Sequence, residues 1–447
     1  MSVTNQHSQY SASLAEWAKA RAFAKSEKDV HAGGELYVSR LTGQTDDEYA
    51  AYKERGSVAM FFKKTISTYR GMVTRKEINV SESDSVTDYL TNVTGSGDTL
   101  SQYVYDTVGE FFTTGRCGTL IDLKEGLTAK DPQFLFYSAE AIINWREEVI
   151  DGAKQLSMVV LVEQVGTNTE DEFNTETENQ YRVLDILDGA YRVRLFDANG
   201  SIKQNKSGDT EIFPLMNNKK IKNIPFVIHG GVAVKPPFLT EILDLNLHHY
   251  QTSTDYAGFL RYAANPLLWS AGADEEIKKV GFGTSHNIPD ANGKVEFAQI
   301  DGTILPIPAQ LKAWEEQMSV LAVNMVIEDI GGKTATQVST DSGNQTASLA
   351  GTVKMLSVEF TKILGWACDW LGKPVGAVVE LNTDFISKQM APEMIREIRQ
   401  SWFDGAISYE TMWLNLQQGE IANPHKSAEE EQADIETSTP PGMQGDE

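Results

Sequence analysis

Seven apolar residues near the C-terminal third of the chain, Leu349, Val353, Leu356, Phe360, Ile363, Ala367 and Trp370, are spaced by 4, 3, 4, 3, 4 and 3 positions. That alternation keeps all of them on one face of an α-helix and predicts a helix over 346–371. A helix of about 25 residues is roughly 37 Å long. An apolar repeat of this period requires neighbouring helices, from the same chain or from another subunit. Two further long helices are predicted before it. One spans about 238–262 and ends at Asn265-Pro266, since the residue before proline disfavours helix. The other spans about 308–329, where Leu311, Trp314, Met318, Leu321 and Met325 repeat at 3, 4, 3 and 4.

Shorter elements surround these helices. Between the first two lies a mixed block, 264–306, with strands at 267–270 and 295–298, a helix at 274–280 and glycines at 272, 281, 283 and 293. Residues 331–345 are rich in Gly, Thr and Ser and read as a flexible loop. Upstream, Thr45 to Glu48 is a capping box that opens a helix predicted to run to about Tyr69, with Val58, Phe62, Ile66, Tyr69 and Val73 on one face. A helix over 100–114 stops at Gly115, and 117–123 and 133–137 read as strands. Residues 156–165, 181–187 and 191–196 alternate as strands around Asp188-Gly189 and Asn199-Gly200 turns, an antiparallel meander with a long exposed tip at 167–180. The polar first 30 residues hold one helical patch, 15–24, as a mobile arm or a docking helix. At the other end, Pro392 and Ser408 each open a helix, the first with Ile395, Ile398 and Trp402, the second with Met412, Trp413 and Leu416. After Lys426 come seven acids and no base, the composition of a disordered tail.

Composition limits function. With 39 Lys and Arg against 63 Asp and Glu, the formal charge is −24, which excludes a basic surface built to neutralise phosphates or dock on an anionic membrane. A hydrophobic content of 41% supplies a real core. Cys117 and Cys368 read as two buried thiols in a reducing cytosol rather than a bridge. No apolar stretch approaches a signal peptide or the ~20 residues of a membrane span, so folding in the cytosol is expected.

Most candidate chemistry fails on spacing. Gly331-Gly332-Lys333-Thr334 resembles the end of a phosphate-binding loop, but that loop needs glycine where Ile327 stands and should follow a strand. A nucleotide-dependent hydrolase using Gly332, Lys333 and Thr334 is nevertheless the rival enzymatic reading. His248 and His249 point about 100° apart on a helix and cannot share a metal. Ser285-His286 reads as polar turn residues, and no nucleophile elbow is present. The acid pairs Asp46-Asp47, Glu147-Glu148 and Glu315-Glu316 read as helix starts or polar faces. Trp314, Trp366, Trp370, Trp402 and Trp413 read as packing anchors. No catalytic set, metal site or cofactor is expected, and the chain reads as a non-enzyme.

Order along the chain carries more than any motif. A long helix, a compact α/β insertion, a second long helix, a polar loop and a third long helix resemble the portal proteins of tailed bacteriophages. Local strings are similar too: Leu41 to Tyr49 (LTGQTDDEY), Ala141 to Arg146 (AIINWR), Pro237 to Tyr262, and Trp402 to Thr411 (WFDGAISYET). The resemblance spans 36–421 and implies a portal-like α+β fold. Its parts would be an N-terminal arm (1–35), a wing of helices and antiparallel meander (36–236), stem helix one (237–263), an α/β clip (264–306), stem helix two (307–330), a tunnel loop (331–345), the wing's long helix and strand (346–390), a helical crown (391–425) and the acidic tail (426–447). It implies a homo-oligomeric ring, usually of twelve, at one capsid vertex of the virion, assembled in host cytoplasm. Double-stranded DNA would pass through without sequence readout, and terminase, head–tail adaptor and major capsid protein would be the partners. Lys333, Thr334, Thr336, Gln337, Ser339 and Thr340 would face the DNA channel, with Lys333 as a phosphate contact. Asp274, Glu275, Glu276, Lys278 and Lys279 of the clip would meet docking partners. Another capsid or tail structural protein with long helices is the third reading.

Overall fold

The computed structural model of the 447-residue chain describes residues 2–81, 83, 85–123, 132–150, 152–167, 176–205, 207–264, 267–271, 292–298, 306–323, 335–373, 376–385, 392–419, 421–423 and 426–437. They form two compact units, Met1–Thr383 and Asp384–Glu447. Helices and antiparallel sheets are mixed, as an α+β chain requires.

The polar N-terminal stretch is a docked helix, Ser8–Lys25, which settles the choice left open by its sequence. His7 caps it, its Nδ1 accepting from the Gln9 amide at 3.2 Å. Tyr10, Trp17, Ala20 and Phe23 are buried on its inner face, and Trp17 Nε1 donates to the Thr114 carbonyl at 3.1 Å. Arg21 binds Glu110 and Glu140 together.

The capping box forms as expected: Thr45 Oγ1 accepts from the Glu48 amide at 3.3 Å, and Glu48 accepts from the Thr45 amide at 2.9 Å. The expected single helix to Tyr69 does not form. It is two helices, Asp46–Arg55 and Phe61–Val73, parted by an extended turn at Gly56. The break has a packing cause. A Cβ on Gly56 would lie 1.9 Å from Thr254 Oγ1 and 3.0 Å from Thr254 Cα, so the turn exists to let another helix approach. Gly56→Ala is therefore expected to cost about 1–3 kcal/mol through overpacking. Urea unfolding should show it, with part of the loss recovered when Thr254 is also shortened to glycine. An unchanged midpoint would refute the close approach.

Two sheets organise the first unit. Strand Cys117–Asp122 lies between Gln133–Ser138 and Phe226–His229, antiparallel to both. Its first five residues are all buried, because helix Leu100–Thr114 packs on it as well as the long C-terminal helix. The meander is larger than the sequence suggested. Four strands, Ile142–Ile150, Ala153–Thr167, Glu176–Leu187 and Ala190–Phe196, pair in chain order. The first was missed, and it includes Glu147 and Glu148, which therefore lie on a strand rather than at a helix start. At the predicted tight turn, Asp188 and Gly189 take φ of 50° and 71°, the left-handed values a two-residue hairpin demands. Cys117 and Cys368 are both free and buried.

The second unit holds helices Pro392–Phe403 and Tyr409–Gln418, the latter capped by Ser408 at 3.1 Å as expected. The acidic tail needs correction. Residues Ala428–Thr437 form a helix, opened by a second capping box in which Glu430 accepts from the Ser427 amide at 2.8 Å and Ser427 Oγ from the Glu430 amide at 3.1 Å. Lys426 pairs with Asp434 at 2.6 Å and with Glu431. Three glutamates in the first turn favour the helix dipole, so acidity here promotes order.

Candidate functional site

The region of interest is the set of long helices and what joins them. Helix Thr240–Ala264 leads into strand Leu267–Ala271, which pairs antiparallel with Lys294–Ala298, and helix Pro306–Val323 returns alongside the first. His249 Nε2 lies 3.1 Å from Glu315, and the His248 and Trp314 rings are 6.0 Å apart, so the middles of the two helices meet. The two histidines face different partners on helix 306–323.

The first half of helix 240–264 is anchored by polar residues rather than by an apolar stripe. Asn246, fully buried, accepts from the Phe62 amide at 2.9 Å and donates to the Ala59 carbonyl. Ser253 Oγ accepts from the Ser57 amide at 2.9 Å, and Tyr250 donates to the Lys53 carbonyl at 3.0 Å. These bonds satisfy backbone groups that the break at Gly56 removes from helix, which a buried chain must do. Anchoring then fades. Leu260 is 42% exposed and Val320 47%, and on helix 306–323 only Met318 is buried among the described residues. One copy of the chain thus leaves much of this helix pair in solvent.

The third helix is Ala335–Trp370, 36 residues, and starts well before the expected 346. The loop reading of 331–345 is therefore corrected for 335–345. Thr336, Gln337, Ser339 and Thr340 lie in a helix, where the absence of Gly and Pro between 335 and 342 removes the usual breakers. Lys333 and Thr334 lie outside the described residues, as do Asp274, Glu275, Glu276, Lys278, Lys279 and the Ser285-His286 pair. The heptad face also has a different neighbour from the one its period suggested. Leu349, Val353, Leu356, Phe360, Ile363 and Ala367 are at most 1% exposed within one chain. They pack toward strands 117–122, 226–229 and Val379–Glu380.

A buried polar chain fixes this helix to the sheet. Glu359 Oε2 is 2.9 Å from His229 Nδ1, and Oε1 accepts from the Gly230 amide at 3.2 Å. His229 Nε2 is 2.9 Å from Thr119 Oγ1, which is 2.7 Å from the Tyr103 hydroxyl. The order carboxylate, imidazole, hydroxyl is that of an activated nucleophile, but Thr119 and His229 are fully buried, so no substrate reaches the hydroxyl. The chain acts as a structural tie. Sequence reasoning missed it because its members are 110 and 130 residues apart.

A cavity of about 1150 Å³ runs beside helix 100–114, with Arg70, Asp106, Glu110, Glu163 and Arg182 in its lining. Five of its charges are held in ion pairs: Arg70 with Asp106, Arg182 with Glu163 at 2.7 Å, and Glu110 with Arg21 of the N-terminal helix. Burial would raise the Glu163 carboxyl, but the Arg182 guanidinium outweighs it and holds the group below the usual range. Among the described residues no group of three His, Cys, Asp or Glu could hold a metal, and no helix is long and apolar enough to cross a membrane.

The family described as "Domain of unknown function (DUF4055)" matches residues 238–371, the stretch that holds both paired helices, the strand pair between them and the third helix. No curated protein matches. A chain from the neck of an empty GTA particle is similar at 11% identity and TM-score 0.39, over 85% of this chain and 96% of that one. A chain from the virion of a native gene transfer agent particle is similar at 10% identity and TM-score 0.36, over 90% and 98%. An HK97 family phage portal protein from Corynebacterium diphtheriae is similar at 11% identity and TM-score 0.30, over 74% and 96%. Likenesses this distant assign no role; that has to come from the residues of this chain.

Proposed function

We propose that the chain is the ring-forming subunit of a tailed-phage portal, a head–tail connector and DNA conduit rather than an enzyme. The observation that carries this reading is the paired helices 240–264 and 306–323, with an antiparallel two-stranded element between them in the chain, left largely exposed along their outer half. A monomer gains nothing from exposing Leu260 and Val320 on paired helices. A ring gives each pair a neighbour on both sides, and a heterologous interface that closes makes such a ring. The third helix is held by the core of its own chain, so the apolar ring contacts fall to the helix pair.

Within this reading the strand-paired end, with Asp274, Glu275, Glu276, Lys278 and Lys279, docks terminase and adaptor. Lys333, Thr334, Thr336, Gln337, Ser339 and Thr340 face the channel, with Lys333 as a phosphate contact. Double-stranded DNA slides past, because a subunit charge of −24 disfavours tight phosphate binding. Native mass measurement and electron microscopy of the purified chain test the proposal. Rings with a central hole are expected, twelve copies being the expected number. A chain that stays monomeric at every concentration, or one whose ATPase activity disappears in Lys333→Ala, would replace the portal with another reading.

A further inference from the structure

Among the described residues, a cluster of three lysines without ion pairs stands at a built turn. Asn217 and Asn218 adopt φ of 50° and 60°, the left-handed pair of a tight hairpin between Leu215–Met216 and Lys219–Lys220. The turn sets Lys219 and Lys220 side by side, with Lys222 two residues on, and all three are exposed. No ion pair holds any of them among the described residues. The Asn217 amide donates to the Asp369 carbonyl, which fixes the hairpin against the end of helix 335–370. Between them is a cavity of about 470 Å³ lined by Asn217, the three lysines, Trp366 and Asp369. A fourth lysine, Lys362, lies with Nζ 4.9 Å from the Trp366 ring centroid.

Resting on the ring reading above, we propose that this lysine hairpin is a contact between copies of the chain and receives a carboxylate-bearing segment of the neighbouring copy. Charge complementarity names the occupant. Each copy carries −24, so assembling copies costs self-repulsion unless some contact sets cations against acids. The lysines do this without first breaking an ion pair of their own. Shape decides against duplex DNA as the occupant. The site is concave, which suits inserted side chains and not the convex backbone of a duplex.

Two variants of the full chain test this, Lys219→Glu/Lys220→Glu/Lys222→Glu and the neutral Lys219→Gln/Lys220→Gln/Lys222→Gln, read by native mass and sedimentation across salt concentrations. The glutamate variant should lose at least tenfold in ring fraction at low salt, with the glutamine variant in between. Wild-type rings should weaken toward the glutamine level near 1 M salt, where charges are screened within about 3 Å. Zero-length carbodiimide cross-linking of mixed light and heavy-isotope copies should join Lys219–Lys222 peptides to acidic peptides of the other isotope. Unchanged assembly and salt dependence in both variants would overturn the proposal. So would normal rings that have lost DNA retention, a result that assigns the hairpin to DNA. A wild-type chain that forms no ring overturns the ring reading itself and takes this contact with it.

Discussion

Glu359→Ala is expected to destabilise the first unit by about 3–5 kcal/mol, the cost of removing one partner from a buried charged hydrogen-bond set. The carboxylate accepts from two groups at once, His229 Nδ1 and the Gly230 amide. Alanine leaves both donors buried without an acceptor, at roughly 1–3 kcal/mol each. The effect propagates, since His229 Nε2 can accept from Thr119 only while Nδ1 carries the proton for Glu359. Losing the carboxylate frees the imidazole to change tautomer, and the Thr119–Tyr103 end loses its fixed direction. Glu359→Gln keeps an acceptor for one of the two donors and should cost about half as much. A cycle with His229→Ala should show coupling of about 0.5–3 kcal/mol. The measurement is urea unfolding followed by tryptophan fluorescence. A change within 0.5 kcal/mol for Glu359→Ala would mean that the helix is held by its apolar face alone.

That tie also marks where sequence reading reaches its end. The long helices were legible because their periodicity is local: seven residues at 4 and 3 spacing need no knowledge of the rest of the chain. What they pack against was not legible. The same spacing serves a coiled-coil partner or a sheet, and here strands 117–122 and 226–229 fill that place. Helix 240–264 hides its anchoring differently. Asn246, Ser253 and Thr254 would be assigned to a solvated face, yet they are buried. A stripe of polar residues inside a predicted helix, facing a predicted helix that contains a glycine, was the available signal. A glycine inside an apolar period does not by itself end a helix, whereas Thr254, nearly 200 residues on, makes Gly56 a break. The tail was misread for a related reason. Net composition suggested disorder, while Ser427 and Glu430 spelled a capping box that the same rules had recognised at Thr45 and Glu48.

For the candidate site, order along the chain was readable and contacts between side chains were not. The strands read at 267–270 and 295–298 form a pair between two long helices, each one residue longer than read. It turned the start of the third helix into a loop, because Gly331, Gly332 and the Thr and Ser that follow dominate the window. The lysine hairpin passed unnoticed, since three lysines in four residues are only informative once the surrounding carboxylates are known to be elsewhere. The structure adds that information: among the described residues, Asp369 is the one carboxylate lining that cavity.

Trp17→Ala is expected to cost about 3–5 kcal/mol, the usual loss for emptying a buried tryptophan site. Trp17 is 1% exposed, its ring meets Tyr10 edge-on at 5.6 Å, and its Nε1 donates to the Thr114 carbonyl. That carbonyl ends helix 100–114, where the last turn has no partner of its own and needs a donor from outside. One side chain thus fills a core site and completes a second helix. Polar contacts around it, Lys19 with Asp244 at 2.7 Å and Arg21 with Glu110 and Glu140, are partly exposed and cannot replace that burial. Trp17→Phe separates the two roles. It keeps most of the volume, loses the hydrogen bond, and should cost about 1–2 kcal/mol. Hydrogen exchange then shows where the loss falls. If helix 8–25 docks as an independent piece, its amides lose protection in Trp17→Ala while strands 117–122 and 226–229 keep theirs; if it is integral to the core, all three fall together with the unfolding midpoint. A free N-terminal arm would show neither effect, and wild-type stability in Trp17→Ala would restore that reading of the first 35 residues.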